Sequence, residues 1–403
     1  MQKTHKKIFK KTLFVFTLTL FVNSAAMARD GYITYTPGEG MEIKALDVKF
    51  EPSTVFDFQG CPKPNKRPGG DFGVSWVAYY DVYKKFGDWA LAFAQLRQGW
   101  GDTVEKDLSL FSNVNYNASD YGGNIKLKKF SYEHYFCDKQ LSVSCGKLKP
   151  RNLFCQNRYA YDDDTQFINT LFNLFPGIEW PVDFTFTIHA KMCLQEISFL
   201  EFEFNYFEGD ADWEKIFKHG VFTWQLNLKP ASFFDLDDEQ WKGNYRFYAW
   251  LNARKHARLV NRGDTPTIDT KLPNYGFGIS FDQMATDVFG LFCRLGNQRP
   301  DVIPANGNAA IVLAWLGGIQ MTGKFWQRGK DVVSFGVGQV VPSKEYIGAG
   351  NAGKPEGHVE TYYRCQINEC LQIGPDFQLI WNPDGVGGET PVFTYGFKTR
   401  IVF

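Results

Sequence analysis

The chain finishes in an unbroken alternation that runs to its last residue. Phe393, Tyr395, Phe397, Thr399, Ile401 and Phe403 share one parity, and Thr394, Gly396, Lys398, Arg400 and Val402 share the other. Successive side chains of a strand point to opposite faces, so one face here is apolar and the other carries two cations. A strand of this kind that stops on an aromatic residue is how a bacterial outer-membrane barrel closes, and the barrel-assembly machinery reads such a segment as its docking signal. The competing reading is an amphipathic edge strand of a soluble sheet. The rest of the chain has to choose between them.

The opposite end reads as an export signal. Lys3, Lys6, Lys7, Lys10 and Lys11 precede an apolar stretch, Leu13 to Val22, and Ala26-Met27-Ala28 follows as a small-x-small cleavage site. The stretch is too short to span a bilayer as a helix. Residues 1–28 are therefore expected to be a signal peptide, 29–42 a short periplasmic or plug-like arm, and 43–403 the body of the fold. Loss of five lysines from a balanced set of 44 basic and 44 acidic side chains leaves the mature chain acidic, which argues against nucleic acid as a partner.

Mean hydropathy is −0.30, yet 17% of the residues are aromatic and Phe alone numbers 38. A transmembrane barrel produces that combination, because lipid-facing side chains alternate with wet ones while aromatic girdles raise the ring count. Strand candidates recur between turn signals. They run near 43–58, 72–82, 89–97, 126–137, 141–147, 184–190, 199–207, 221–229, 245–254, 275–282, 288–294, 310–316, 332–340, 359–366, 371–381 and 392–403. The expected fold is all-β: a transmembrane antiparallel β-barrel of about sixteen strands, an even number as in bacterial single-chain barrels, with inward or extracellular loops and a short loop helix.

Parity within the strands separates the two faces. Phe222, Trp224, Leu226 and Leu228 oppose Thr223, Gln225, Asn227 and Lys229; Tyr245, Phe247, Ala249 and Leu251 oppose Arg246, Tyr248, Trp250, Asn252 and Arg254; Leu200, Phe202, Phe204 and Tyr206 oppose Glu201, Glu203 and Asn205. A charge on the lipid face costs roughly 2–4 kcal/mol at the midplane, so the polar set should line the lumen. Two segments break the rhythm. Residues 101–123, with Asp102, Asn113, Asn115, Asn117 and Asp120, read as an irregular loop. Residues 149–181 hold Arg151, Asn152 and the Asp162-Asp163-Asp164 run, followed by a helix-like pattern of Phe167, Ile168, Leu171, Phe172 and Leu174, with the acids suited to its N-terminus. Such a loop either folds inward to narrow the bore or packs outside with solvated acids.

Glu360-Thr361-Tyr362-Tyr363-Arg364, then Pro375-Asp376-Phe377-Gln378 and Asn382-Pro383, resemble the carbohydrate-selective porin family named for OprB. So do Gly146-Lys147-Leu148 followed by Tyr161 and Gln166-Phe167-Ile168-Asn169, and the strand Phe289 to Gly296. Asp162-Asp163-Asp164 stands where that family usually has Asn-Asp-Glu. The resemblance covers residues 45–403. It implies a sixteen-stranded barrel that admits monosaccharides by facilitated diffusion through a channel narrowed by inward loops.

A sugar offers hydroxyls at its edges and C–H groups on its faces, so a selective pore needs charged groups and flat rings. The lumen parity supplies Arg246, Arg254, Arg364, Lys398 and Arg400 as donors, Glu201, Glu203, Glu360, Asp376 and Gln378 as acceptors, and Tyr248, Trp250 and Tyr362 as stacking rings. Read singly, the Arg and Glu residues equally suit wall-stiffening pairs. The expected partners are small sugars, outer-membrane lipid and lipopolysaccharide, the assembly machinery acting on the strand ending at Phe403, and other copies of the chain. No cofactor or metal is expected: the eight cysteines lack Cys-x-x-Cys spacing, although an even count permits disulfides. A general or anion-preferring pore, a secreted sugar-binding sandwich and a barrel enzyme are the alternatives. His134, His189, His219, His256 and His358 sit in no nucleophile motif.

Overall fold

The computed structural model describes residues 33–66, 71–115, 123–181, 184–234, 241–259, 272–304 and 309–403. The expected signal peptide, the first residues of the arm, Asn117 and Asp120 lie outside them. Among the described residues there are eighteen strands: β1 (Ile33–Thr36), β2 (Gly40–Ile43), β3 (Val48–Cys61), β4 (Asp71–Phe86), β5 (Ala90–Asp102), β6 (Lys126–Phe136), β7 (Leu141–Leu148), β8 (Thr185–Met192) and β9 (Leu200–Glu208). They continue as β10 (Gly220–Leu228), β11 (Gly243–His256), β12 (Leu272–Met284), β13 (Phe289–Gln298), β14 (Ile311–Gly323), β15 (Arg328–Pro342), β16 (Glu356–Gln366), β17 (Leu371–Trp381) and β18 (Val392–Val402).

Strands β3 to β18 each pair antiparallel with their sequence neighbours, and β18 returns to β3 from Tyr395↔Gly60 to Val402↔Ser53. The result is a closed sixteen-stranded antiparallel barrel, which leaves the barrel no unpaired edge. All sixteen expected strands are found. The arm before the barrel is a hairpin: β1 pairs with β2, and β2 continues the sheet by pairing Met41–Ile43 with Val48–Phe50, below the point where β18 ends. The Phe403 amide donates to Pro52 O at 3.0 Å, so the last residue is itself part of the seam.

Connections are short at the end that holds β1, β2 and Phe403, as at 87–89, 137–140, 285–288, 324–327 and 367–370. They are longer at the other end, as at 103–125, 149–184, 209–219 and 343–355. Short turns face the periplasm in such barrels and long loops face outward. Among the barrel strands the shortest are β7 and β8, eight residues each against sixteen in β4. The wall is therefore low where residues 149–184 depart.

The faces divide as parity demands. Trp224 and Phe247 are 45% and 51% exposed on the outside, whereas their neighbours Gln225 and Arg246 are 4% and 9% exposed on the inside. Phe393, Tyr395 and Phe397 likewise face out, and Thr394 is fully buried within. All eight cysteines are unbridged.

Candidate functional site

Residues 149–184 fold into the bore. The expected helix behind the acid run is a single turn, α1 (Thr170–Asn173), and its cap is Asn169, whose side chain accepts from Leu171 N at 2.9 Å. The three aspartates are not at its N-terminus. Asp162 instead accepts from the Asp164 amide at 3.1 Å and from the Thr165 hydroxyl at 2.6 Å, which makes a tight turn of the tip.

One arc of the wall grips this loop. The Glu360 carboxylate accepts from the amides of Ile168 at 2.7 Å and Asn169 at 3.1 Å. Asn169 Nδ2 donates to Gln378 Oε1 and lies against His358 Nδ1, both at 2.9 Å, while His358 Nε2 meets Glu356 at 2.8 Å. Glu356 also accepts from the amides of Phe111, Ser112 and Asp384 at 2.7–2.9 Å, so one carboxylate ties a second loop to the same strand. Further round, Arg294 donates to Phe172 O at 3.1 Å and Gln298 to Pro176 O at 2.8 Å. Glu179 accepts from Asn274 at 2.6 Å and faces His256 at 2.9 Å. Gln225 accepts from the Cys155 amide at 3.0 Å. Buried amides of an inward loop need such partners, because an unmet one costs about 1–3 kcal/mol.

Under the loop the contact is apolar. Phe167 stacks on Phe172 at 4.6 Å and meets Tyr362 edge-on at 5.0 Å, and Phe154 meets Tyr248 edge-on at 5.3 Å. Two wall glycines make the approach possible. A Cβ at Gly336 would come within 2.6 Å of the Phe172 ring, and one at Gly296 within 2.6 Å of the Tyr248 hydroxyl.

Toward β3 to β6 the loop leaves open space beside the wall. A cavity of about 320 Å³ on the long-loop side is lined by Phe111, Trp180, Ile178 and Ile311, and Lys149 and Arg151 form part of its boundary. A second cavity, of about 190 Å³, lies against β3 to β6, lined by Ser53, Tyr79, Asp81, Gln95, Arg97 and Lys129 with Arg400 of β18. Lys149 and Arg151 border this cavity too, so the two spaces lie on either side of them. The pinch is built from an Arg151–Asp163 ion pair that is 6% and 7% exposed. Arg151 also donates to Asn173 Oδ1 at 3.1 Å. Lys398 donates to the carbonyls of Asp163 and Gln166 at 2.5 and 3.0 Å, and the Tyr79 hydroxyl to Asp164 at 3.0 Å.

Burial works against ionised Asp163, but the Arg151, Lys149 and Arg97 cations outweigh it and hold this carboxyl well below the usual carboxylate range. Asp164 goes the other way: burial, then the neighbouring Asp163 and Asp162 charges, push it up to about 6. Burial, reinforced by the Arg151 guanidinium, pushes the Lys149 ammonium well below the ordinary lysine value. Adjacent groups of one loop thus carry opposite shifts.

Of the residues expected at the channel, Arg364, Lys398 and Arg400 border an open gap beside Asp164, Thr165 and Gln166. Asp376 and Gln378 share a 3.0 Å hydrogen bond, and Gln378 donates to Val114 O at 2.9 Å, so both serve loop anchoring with Glu360. Glu201 holds Lys229 at 2.7 Å and Lys191 at 3.0 Å, Glu203 accepts from Gln225 at 3.1 Å, Arg246 pairs with Asp282 at 2.5 Å, and Arg254 donates to Gly209 O at 2.9 Å. Stacking on a sugar does not match the placement of Tyr248, Trp250 and Tyr362. They are 4%, 1% and 6% exposed because loop aromatics cover them. Arg97, Lys129, Lys149 and Arg151 border the cavities but were not among the residues expected at the channel. Arg97 and Lys129 close strand segments without standing out, and the other two lie in a loop with no periodicity.

Among the described residues, two acidic groups bring carboxylate oxygens close enough to hold a metal ion: Asp162–Asp164, and Glu208 with Asp210 and Asp212. In the first, Arg151 already meets Asp163.

The family model described as "Carbohydrate-selective porin, OprB family" matches residues 96–403. No curated protein matches the chain. Among solved structures, the high-pH structure of Pseudomonas putida OprB is 16% identical, with a TM-score of 0.71 over 88% of this chain and 94% of that one. The outer-membrane channel DcaP of Acinetobacter baumannii is 9% identical, with a TM-score of 0.58 over 90% of this chain and 99% of that one. At these identities the likeness is one of fold.

Proposed function

This chain belongs to the OprB family of carbohydrate-selective porins, and from that premise we propose that small sugars of monosaccharide size cross it between the anchored loop and the β3–β6 wall. It is an outer-membrane porin for carbohydrates. The observation that carries the proposed route is the shared boundary of the two cavities, about 320 and 190 Å³, at Lys149 and Arg151. On β10, β12, β13, β16 and β17 the loop is hydrogen-bonded to the wall.

A solute would enter the wide, ring-lined upper space, lose part of its hydration at the pinch, and exchange hydrogen bonds along Arg97, Gln95, Lys129, Arg400 and Arg364. The groups sit on several strands and each offers one or two contacts. That favours a series of weak stops over one tight site, as passage requires. We read the chain as a channel without chemistry of its own: His256 and His358 are spent on Glu179, Glu356 and Asn169 in anchoring the loops. Outward aromatics such as Trp224 and Phe247 suit contact with membrane lipid.

Liposome swelling with purified protein tests the reading. Glucose should enter faster than a disaccharide and faster than an amino acid of similar size. Equal rates for size-matched solutes would leave a general pore.

A further inference from the structure

The lower cavity has a charge pattern that a neutral sugar does not use. Its lining holds five cations, Arg97, Lys129, Lys149, Arg151 and Arg400, against four acids, Asp81, Asp162, Asp163 and Asp164. Three of the acids are engaged from the wall or the loop: Asp162 by the Asp164 amide and the Thr165 hydroxyl, Asp163 by Arg151, and Asp164 by the Tyr79 hydroxyl. Like Arg97, Arg151 and Arg364, Arg400 has a buried Nε with no hydrogen-bond partner among the described residues. Arg151 and Arg364 are engaged elsewhere, by Asp163 and by Thr165 O, whereas Arg400 borders both this cavity and the gap that leads past Arg364 and Lys398.

A guanidinium bordering a cavity suits the two parallel bonds of a carboxylate. Lys129, on the opposite side of Ser53, Tyr79 and Gln95, adds a second positive charge, with Asp81 close by. The remaining lining suits the rest of a sugar. Gln95 and Ser53 offer hydrogen bonds to hydroxyls, and Tyr161 and Phe184 offer ring faces.

We propose that Arg400 and Lys129 form a carboxylate subsite in the lower cavity, so that this porin favours a sugar acid over the parent neutral sugar. The proposal rests on the reading of that cavity as the route. Asp81 tempers the subsite, which keeps the bound acid able to leave. Arg364 and Lys398 then continue the positive path from Arg400 past the loop tip.

The test is block of single-channel ion current in a planar bilayer by sodium gluconate and by glucose, at matched ionic strength. The wild-type channel should be half-blocked at a gluconate concentration about tenfold below that for glucose, the size expected of one charge-assisted contact. The Arg400→Gln, Lys129→Gln double variant should bring that ratio to about one. Asp81→Asn removes an opposing charge and no donor, so it should widen the ratio. Equal block of the wild type by both solutes overturns the proposal, as does a double variant that keeps the preference. A channel that conducts but is blocked by neither overturns the route and the subsite together.

Discussion

Two arcs of one barrel wall put the same alternation to opposite uses. On β16 and β17, the inward residues Glu356, His358, Glu360, Asp376 and Gln378 are at most 3% exposed, each hydrogen-bonded to a loop or to a neighbour that is. On β3 to β6, the inward residues Ser53, Asp81, Arg97 and Lys129 face an open cavity. Both arcs read as polar-in and apolar-out. What separates them is where the loop after β7 lands: one arc anchors it and the other borders a cavity. Polar residues inside a barrel are therefore not all solute contacts.

The sharpest way to break the contrast is to free the loop from its own lock. Arg151→Ala strips a buried partner from Asp163, and breaking such a pair costs about 3–5 kcal/mol. The loop tip should lose order, and single-channel conductance should rise with loss of discrimination by size. Glu360→Ala attacks the anchor arc and abandons two buried amides, for about 2–3 kcal/mol. Faster hydrogen exchange at Ile168 and Asn169, with β10 and β11 unaffected, is the expected signature. Gly336→Val is milder, at about 1–3 kcal/mol, because it overpacks the docking surface under Phe172 without removing a hydrogen bond. It should lower the resistance of the loop to protease while the barrel keeps its thermal stability.

The smallest effect is one charge at the pinch. Asp164 is held near 6 among Asp162, Asp163, Arg97, Arg400 and the Tyr79 hydroxyl. It is ionised above that pH and neutral below it, so the ratio of anion to cation permeability should increase between pH 7 and 5. Asp164→Asn should remove the step. The linkage has the matching sign. A carboxyl whose folded value is raised above its unfolded one, near 3.9, favours the fold when protonated, and that contribution is lost as pH rises through about 6.

The cylinder itself was legible from sequence because alternation is a local property: Phe222 to Leu228 against Thr223 to Lys229 assigns faces without any knowledge of neighbours. The interior was only half legible. Parity placed Tyr248, Trp250 and Tyr362 inside, but the burial of Tyr248 and Tyr362 depends on Phe154 and Phe167, which arrive from a loop of no fixed period. The same holds for Arg151 and Lys149, whose place at the pinch depends on how Asn169 and Ile168 reach Glu360. The Asp162–Asp164 run was taken for a helix start because acids favour that position. The loop uses it to turn its tip, and Asn169 caps the helix.

If solutes pass along β3 to β6, filling that side must stop them. Ser53 is a small residue on the cavity wall. Single-channel conductance of Ser53→Trp in a planar bilayer, compared with the unmodified protein, is predicted to fall sharply while the protein still inserts. Unchanged conductance would place the path elsewhere in the bore and contradict the account.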